Sequence, residues 1–310
     1  MHIFAPLVAL VTLASGVLAD GACSGPNART TPPKGAIVVD ATGSYTGSYK
    51  TVSEGVAKLN PKKKSVQTVF VRPGVYHEQV LISPLASPLV LQGYTCDAKN
   101  YASNQVTIGC GRFSRDRPIW TRKSAPPVTI TQAKSQKDIP ASVTDGAARN
   151  DMTSTVRFKS DNVKVHNLNI ANTDTVLADK SRELYARTYI NGATDFVFGR
   201  YAQAWFESCD IETVGAGYIT ASGREAANSS ATYVFNHARV FGKRGVNSTS
   251  LGRPWCHPAG LVFKEFNNSG PGAVKGSRVA FSGQLDKPVT ITEVLGERYA
   301  KEWFVDTSYL

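Results

Sequence analysis

The sequence predicts an all-β fold, as a sandwich, a barrel or a β-solenoid, on three observations. Apolar residues alternate with polar ones over short stretches or form short β-branched runs, which is the period of a strand and not of a helix. Gly, Asn, Asp and Pro punctuate those stretches, as the turns between many short strands require. Helical signal is confined to two places in 310 residues, too little to cover a sheet with helices.

From the N-terminus, residues 1–19 come first. An apolar run from Phe4 to Leu13 leads to Val17-Leu18-Ala19 before Asp20, with small residues where a signal peptidase cuts. The run is shorter than the ~20 apolar residues a membrane span needs, and no later segment approaches that length. Residues 20–310 are therefore expected as one secreted, extracellular domain with no membrane partner. A helix is expected over Ser53–Leu59, after Thr51, and a second over Leu295–Trp303. Between them lie the strand patterns Val66–Val71, Val80–Ile82, Leu89–Gln92, Val156–Phe158, Val163–Ile170, Trp205–Ile211 and Tyr233–Val240. Lys62–Lys64 reads as a solvated loop. Asn-bearing turns beside β-branched positions, as in Asp161-Asn162-Val163 and Asn169-Ile170-Ala171-Asn172, suit coils stacked as a parallel β-helix, each stable only against its neighbours. Periodicity alone leaves the solenoid and the sandwich equal. Two segments break the pattern: Gly109–Pro127, with five basic residues and one acidic one, and Asn172-Thr-Asp-Thr-Val-Leu, where a strand runs straight into a polar linker.

Composition narrows the function. With 42% hydrophobic and 19% charged residues, the chain can bury a core and is not globally disordered. Its net charge of +11 points to an anionic partner, whether nucleic acid, membrane or acidic polysaccharide. Nucleic acid is not expected, since the only basic stripe with aromatics is 109–127. Five cysteines, Cys23, Cys96, Cys110, Cys209 and Cys256, leave at least one thiol without an internal partner in an oxidising compartment. Without CxxC or Cys/His spacing, no metal is expected. Acceptor sequons at Asn228, Asn247 and Asn267 are compatible with export as a glycoprotein.

The chain has no GxSxG elbow, HExxH helix, Walker loop or GxGxxG after a strand. His166 and His77 read as packing or surface residues. The densest unusual stretch is Leu184–Gly199, LYARTYINGATDFVFG, where Asp195 stands between a glycine-bearing turn and Phe196-Val197-Phe198. A carboxylate there needs a cation or hydrogen-bond donors to stay ionised; the bland alternative is an aspartate capping a turn. Arg253, pinned between Gly252 and Pro254 with Trp255 beside it, is the candidate cation, in a setting that suits carboxylate orientation and sugar stacking.

Gly47-Ser-Tyr-Lys-Thr-Val52, Gly74-Val-Tyr-His-Glu78, TYINGATDFVFG, Gly217-Tyr-Ile-Thr-Ala-Ser-Gly-Arg224 and LGRPW together resemble the pectin methylesterases (pectinesterases), above all secreted fungal ones. The resemblance runs from about residue 40 to residue 255 and touches Val289–Leu310. It implies a single-stranded right-handed parallel β-helix with a shallow cleft for polygalacturonate. It also implies hydrolysis of the C6 methyl ester of pectin by two aspartates, with no cofactor. Asp195 matches the nucleophile, Arg253 the arginine that holds it ionised, and Asp174 the general acid and later base. Trp255 and Phe198 would line the sugar subsites, and a monomer is expected.

The chain departs from the family pattern in three places. Asn169-Ile-Ala-Asn-Thr173 runs directly into Asp174, so one or two coils, and both glutamines of the family's oxyanion hole, are expected to be missing. Loss of a single oxyanion donor costs ~10²–10³ in rate. The chain is also short after LGRPW, and Gly109–Pro127 has no family counterpart. Such abrupt changes are what misassigned exon boundaries produce; a diverged loop set is the other account. The competing functions are a non-catalytic pectin-binding homologue and, ranked below it, a pectate-lyase-like enzyme, for which no acidic calcium cluster is evident.

Overall fold

A computed structural model describes residues 23–109, 139–171, 175–226, 228–246, 248–254, 261–264 and 285–302. After β1 (Ile37–Val39), the strands come in sets of three. These are β2 (Gln67–Val71), β3 (Gly74–Tyr76) and β4 (Val80–Ile82), then β5 (Leu89–Gly93), β6 (Val106–Gly109) and β7 (Val156–Phe158). Next come β8 (Val163–His166), β9 (Asn169–Ala171) and β10 (Val176–Ala178), followed by β11 (Lys180–Ala186), β12 (Tyr189–Gly192) and β13 (Val197–Gly199). The last sets are β14 (Tyr201–Glu207), β15 (Asp210–Thr213) and β16 (Gly217–Ser222), and β17 (Thr232–Asn236), β18 (Arg239–Gly242) and β19 (Thr249–Pro254), after which β20 (Leu261–Lys264) opens another. Each set is one coil. Every strand pairs in parallel with its counterpart one coil away, giving three sheets in the orders β1-β2-β5-β8-β11-β14-β17-β20, β19-β16-β13-β10-β7-β4 and β18-β15-β12-β9-β6-β3. The fold is a parallel β-helix, which settles the choice between solenoid and sandwich.

The ladders are unbroken beside both odd segments. β4 pairs with β7 on one side of the 109–127 stretch, and β10 pairs with both β7 and β13. The described ladders thus continue from coil to coil past both segments. The segment Gly109–Pro127, apart from Gly109, and residues 1–19 lie outside the described residues. Val176 and Leu177, which close the odd segment Asn172-Thr-Asp-Thr-Val-Leu, belong to the buried strand Val176–Ala178.

Three predicted strands are each two strands in the structure. Val163–Ile170, Trp205–Ile211 and Tyr233–Val240 break at Asn167 (φ 53°), Ser208 (φ 50°) and His237 (φ 51°), and Arg187 (φ 52°) makes the same corner between β11 and β12. A single left-handed residue swings the chain from one sheet to the next. No run of turn residues marks the corner, so the alternation passes through it undisturbed.

Strand spacing in a ladder is about 4.8 Å, so in-register residues stack. Tyr185, Phe206 and Phe235 occupy one inward column, their rings 4.5 Å apart and within 9° of parallel. Around this column pack Val156, Phe158, Val165, Ile190 and Ile211, all essentially inaccessible.

Helices close the solenoid at its end and side. α1 (Val52–Val56) starts at the expected place, with Thr51 and Glu54 forming a capping box. The Glu78 carboxylate also accepts from the Val52 and Ser53 N–H groups, each at 2.7 Å. α2 (Gly146–Thr153), capped by Asp145, has only two alanines and one methionine as apolar side chains, too few to form a stripe for a sequence reading to find. α3 (Ile291–Leu295), capped by Thr290 and ended by Gly296, meets the start of the helix expected over Leu295–Trp303, where among the described residues only a 3₁₀ turn at Tyr299–Lys301 follows it. Cys23 is bonded to Cys96, and Cys209 is a buried free thiol; Cys110 and Cys256 lie outside the described residues. Asn228 is exposed, as a sequon requires, while Asn247 and Asn267 are outside the described residues.

Candidate active site

The sheet β19-β16-β13-β10-β7-β4 carries Arg253, Ala221, Phe198, Leu177, Arg157 and Leu81 in one register row. The neighbouring positions Val80, Val156, Val176, Val197 and Thr220 are fully buried. Since successive side chains alternate faces, the row beginning at Arg253 lies on the outer face of the sheet.

Asp195 is presented by the turn that enters β13. Its backbone is left-handed, with φ 53°, and its N–H donates to the Tyr218 carbonyl at 2.6 Å. That approach depends on Gly217, whose φ is 144° and where an added Cβ would lie 2.2 Å from Thr194 Oγ1. Only glycine lets β16 start against the 194–195 turn. The motif residue Gly217 is thus explained by close passage of two coils.

Arg253, on the last strand of the same sheet, reaches back to Asp195. Its Nε donates to Asp195 Oδ1 at 2.9 Å and Oδ2 at 3.2 Å, and its Nη2 donates to Oδ2. This fork-on-carboxylate pairing fixes orientation as well as charge. The Asp195 hydrogen bond is the main cause that pushes the Arg253 pKa up. The Asp195 side chain is 13% exposed and that of Arg253 43%, so the carboxylate is shielded yet reachable. The Tyr218 ring covers the guanidinium, its centroid 5.1 Å from Cζ. A carboxylate oriented by a guanidinium at the edge of an open face can act as nucleophile or base.

The structure therefore brings Asp195 and Arg253 together, two residues 58 positions apart in sequence. Phe198 shares their face but is 2% exposed, packed with Leu177 and Ala221. It lines a cavity of about 210 Å³ with Leu177, Gly199, Tyr201 and, from α2, Ala148 and Asp151. Asp174 and Trp255 lie outside the described residues. Sequence reasoning assigned nothing to Tyr218; its signal was an aromatic inside Gly217–Arg224 at the mouth of a strand. Among the described residues no three His, Cys, Asp or Glu side chains gather to hold a metal ion, and no helix is long and apolar enough to cross a membrane.

Comparison with known proteins bears on the family and the fold. Residues 36–259 match the family model described as pectinesterase. A pectinesterase of Aspergillus aculeatus is 31% identical, over 96% of this chain and 98% of that protein. One from Aspergillus niger is also 31% identical, over 91% of this chain and 94% of that protein. The crystal structure of a pectin methylesterase from Aspergillus niger superposes with a TM-score of 0.66 at 26% identity, over 91% of this chain and all of that one. The carrot pectin methylesterase, 22% identical with a TM-score of 0.51 over 81% of this chain and 88% of its own, shares the fold.

Proposed function

Because the chain belongs to the pectinesterase family, and is by that membership a carboxylic ester hydrolase acting on the methyl esters of pectin, we propose that Asp195 is the nucleophile of its reaction. The observation that carries this reading is the Arg253 fork on Asp195. An arginine cannot be deprotonated in a protein, so it presents a permanent fork of donors that aims its partner. The Asp195 carboxylate attacks the C6 carbonyl carbon of a methylated galacturonate. The tetrahedral intermediate collapses with cleavage of the C–O bond to methanol, leaving an acyl-enzyme anhydride.

Departing methoxide needs a proton, and the incoming water must lose one. We assign both transfers to Asp174, acid in the first half and base in the second. The ladder partner of Val176 is Val197, and the same offset separates Asp174 from Asp195 in the sequence; this equality supports the assignment. Water attack then releases pectate and returns Asp195 as a carboxylate. Trp255 and Phe198 are assigned to the sugar subsites, Phe198 from its place in the Arg253 row. We further propose a secreted monomer cleaved after Ala19, with methylated polygalacturonate as the partner that its net charge of +11 favours.

The test is methanol release from methyl-esterified pectin. The chain is expected to release methanol, and Asp195→Asn to lose about 10³-fold or more with its melting temperature unchanged. Equal turnover in Asp195→Asn would sink the assignment. Binding of pectin without methanol release by the unaltered chain would instead identify a non-catalytic pectin binder.

A further inference from the structure

We infer that Tyr218 is a positioning residue of the Asp195–Arg253 pair. The inference rests on the proposed role of Asp195 and extends it to a side chain on the neighbouring coil. Tyr218 holds both members at once. Its main-chain carbonyl accepts the Asp195 N–H at 2.6 Å, which pins the left-handed turn that aims the carboxylate. Its ring lies against the Arg253 guanidinium, 5.1 Å from Cζ to the centroid, on the strand that pairs with that of Arg253 through Ala221↔Arg253.

Arg253 needs such support. It lies on the terminal strand of its sheet, with no strand beyond it among the described residues, and its side chain is 43% exposed. A long, half-solvated arginine at a sheet edge has many rotamers, and the Asp195 fork requires one. An aromatic face stacked on the guanidinium removes the competing rotamers and excludes water from one side of the planar cation. The ring, not the hydroxyl, does this. No hydrogen bond from the hydroxyl is needed, so phenylalanine is an adequate replacement and alanine is not.

Positioning and sugar contact are separable, because Tyr218 is itself 36% exposed on the same face. A residue that acts through Arg253 affects the chemical step; one that stacks on galacturonate affects binding. The experiment compares Tyr218→Ala, Tyr218→Phe and Asp195→Asn with the unaltered full chain, measuring kcat and KM on methyl-esterified pectin. Solvent exchange of the Arg253 Nε–H is followed by NMR as a readout independent of turnover. Tyr218→Ala is expected to lower kcat about three- to tenfold, leave KM within twofold, and speed Arg253 Nε–H exchange about tenfold, with the fold intact by circular dichroism. Tyr218→Phe is expected to restore kcat and slow exchange. Unchanged kcat and exchange in Tyr218→Ala, a loss confined to KM, or a Tyr218→Phe as impaired as Tyr218→Ala would each overturn the inference. Asp195→Asn separates the two levels. If it is inactive while Tyr218→Ala is unaffected, only the role of Tyr218 falls; if it turns over normally, the reading of the site falls and this inference with it.

Discussion

Two carboxylates of this chain show how placement decides what an acid can do. Asp195 stands at a turn with a cation on it. Glu183 points into the solenoid, 1% exposed, with the Tyr185 hydroxyl donating to it at 2.6 Å. Burial pushes the Glu183 pKa well above its ordinary 4.5, against the lowering effect of the Tyr185 bond. The folded state therefore holds this proton where the unfolded chain gives it up. The stability tied to it is present below pH 4.5 and is lost as pH rises from there toward the folded value. His166, fully buried, has the opposite sign: burial first, then Lys164 and Arg29, pull its pKa well below 6.5. Its neutral form favours the fold above pH 6.5, and that contribution is lost as pH falls below 6.5, because the unfolded state then takes up the proton. Replacing Glu183 by glutamine keeps shape and hydrogen bonding and removes only the first dependence. The difference in melting temperature between Glu183→Gln and the unaltered chain should be near zero at pH 4 and grow in favour of glutamine through pH 8. His166 cancels in that difference, and a gap that shrinks with rising pH would refute the account.

At the scale of elements, a recurring motif can be structural while looking functional. Gly74-Val-Tyr-His-Glu78 helped to identify the family, yet none of its residues faces the site. The Tyr76 hydroxyl donates to the Arg72 carbonyl at 2.9 Å, and Glu78 caps α1 with two charge-assisted hydrogen bonds. α1 is five residues long, too short to persist on its own, and it covers β1, β2 and β4. Glu78→Ala should cost about 1–2 kcal/mol, read as a lower melting temperature, with methanol release per folded molecule unchanged. The strands themselves were legible from alternation, because each coil buries one face of a strand and repeats. Their corners were not: Asn167, Arg187, Ser208 and His237 take left-handed backbone, and two of those four residue types, Arg and His, carry no strong turn preference. Neither was α2, which has a local Asp145 cap but no apolar stripe, and whose Asp151 pairs with Lys159 at 3.1 Å, a contact that exists only once β7, which Lys159 follows, has packed beside it.

Across the whole molecule, the same long-range logic governs what the sequence reveals of the site. Asp195 and Arg253 stood out locally, one by the apolar run after it and one by flanking Gly and Pro. That they meet could be read only through family resemblance, and the place of Tyr218 beside them follows from ladder register, which no local signal shows. Long-range closure also decides how the solenoid unfolds. A β-helix is close to a one-dimensional stack, free to open coil by coil from its ends. Here α3 returns across the eight-stranded sheet and buries Val294 and Leu295 against Leu184, Trp205 and Val234, which sit in register on β11, β14 and β17. Arg182 fastens the same segment, donating to the Leu295 carbonyl at 3.1 Å. Three adjacent coils are thereby tied to one helix, so they should open together. Leu295→Ala removes a fully buried side chain and should cost about 2–5 kcal/mol, lowering the melting temperature by roughly 5–15 °C for a domain of this size. Coupling predicts that Trp fluorescence, reporting Trp205 among the four tryptophans, and far-ultraviolet circular dichroism, reporting all coils, fall together at the new temperature. If fluorescence moves early while the strand signal keeps its original midpoint, α3 covers the sheet without coupling its coils.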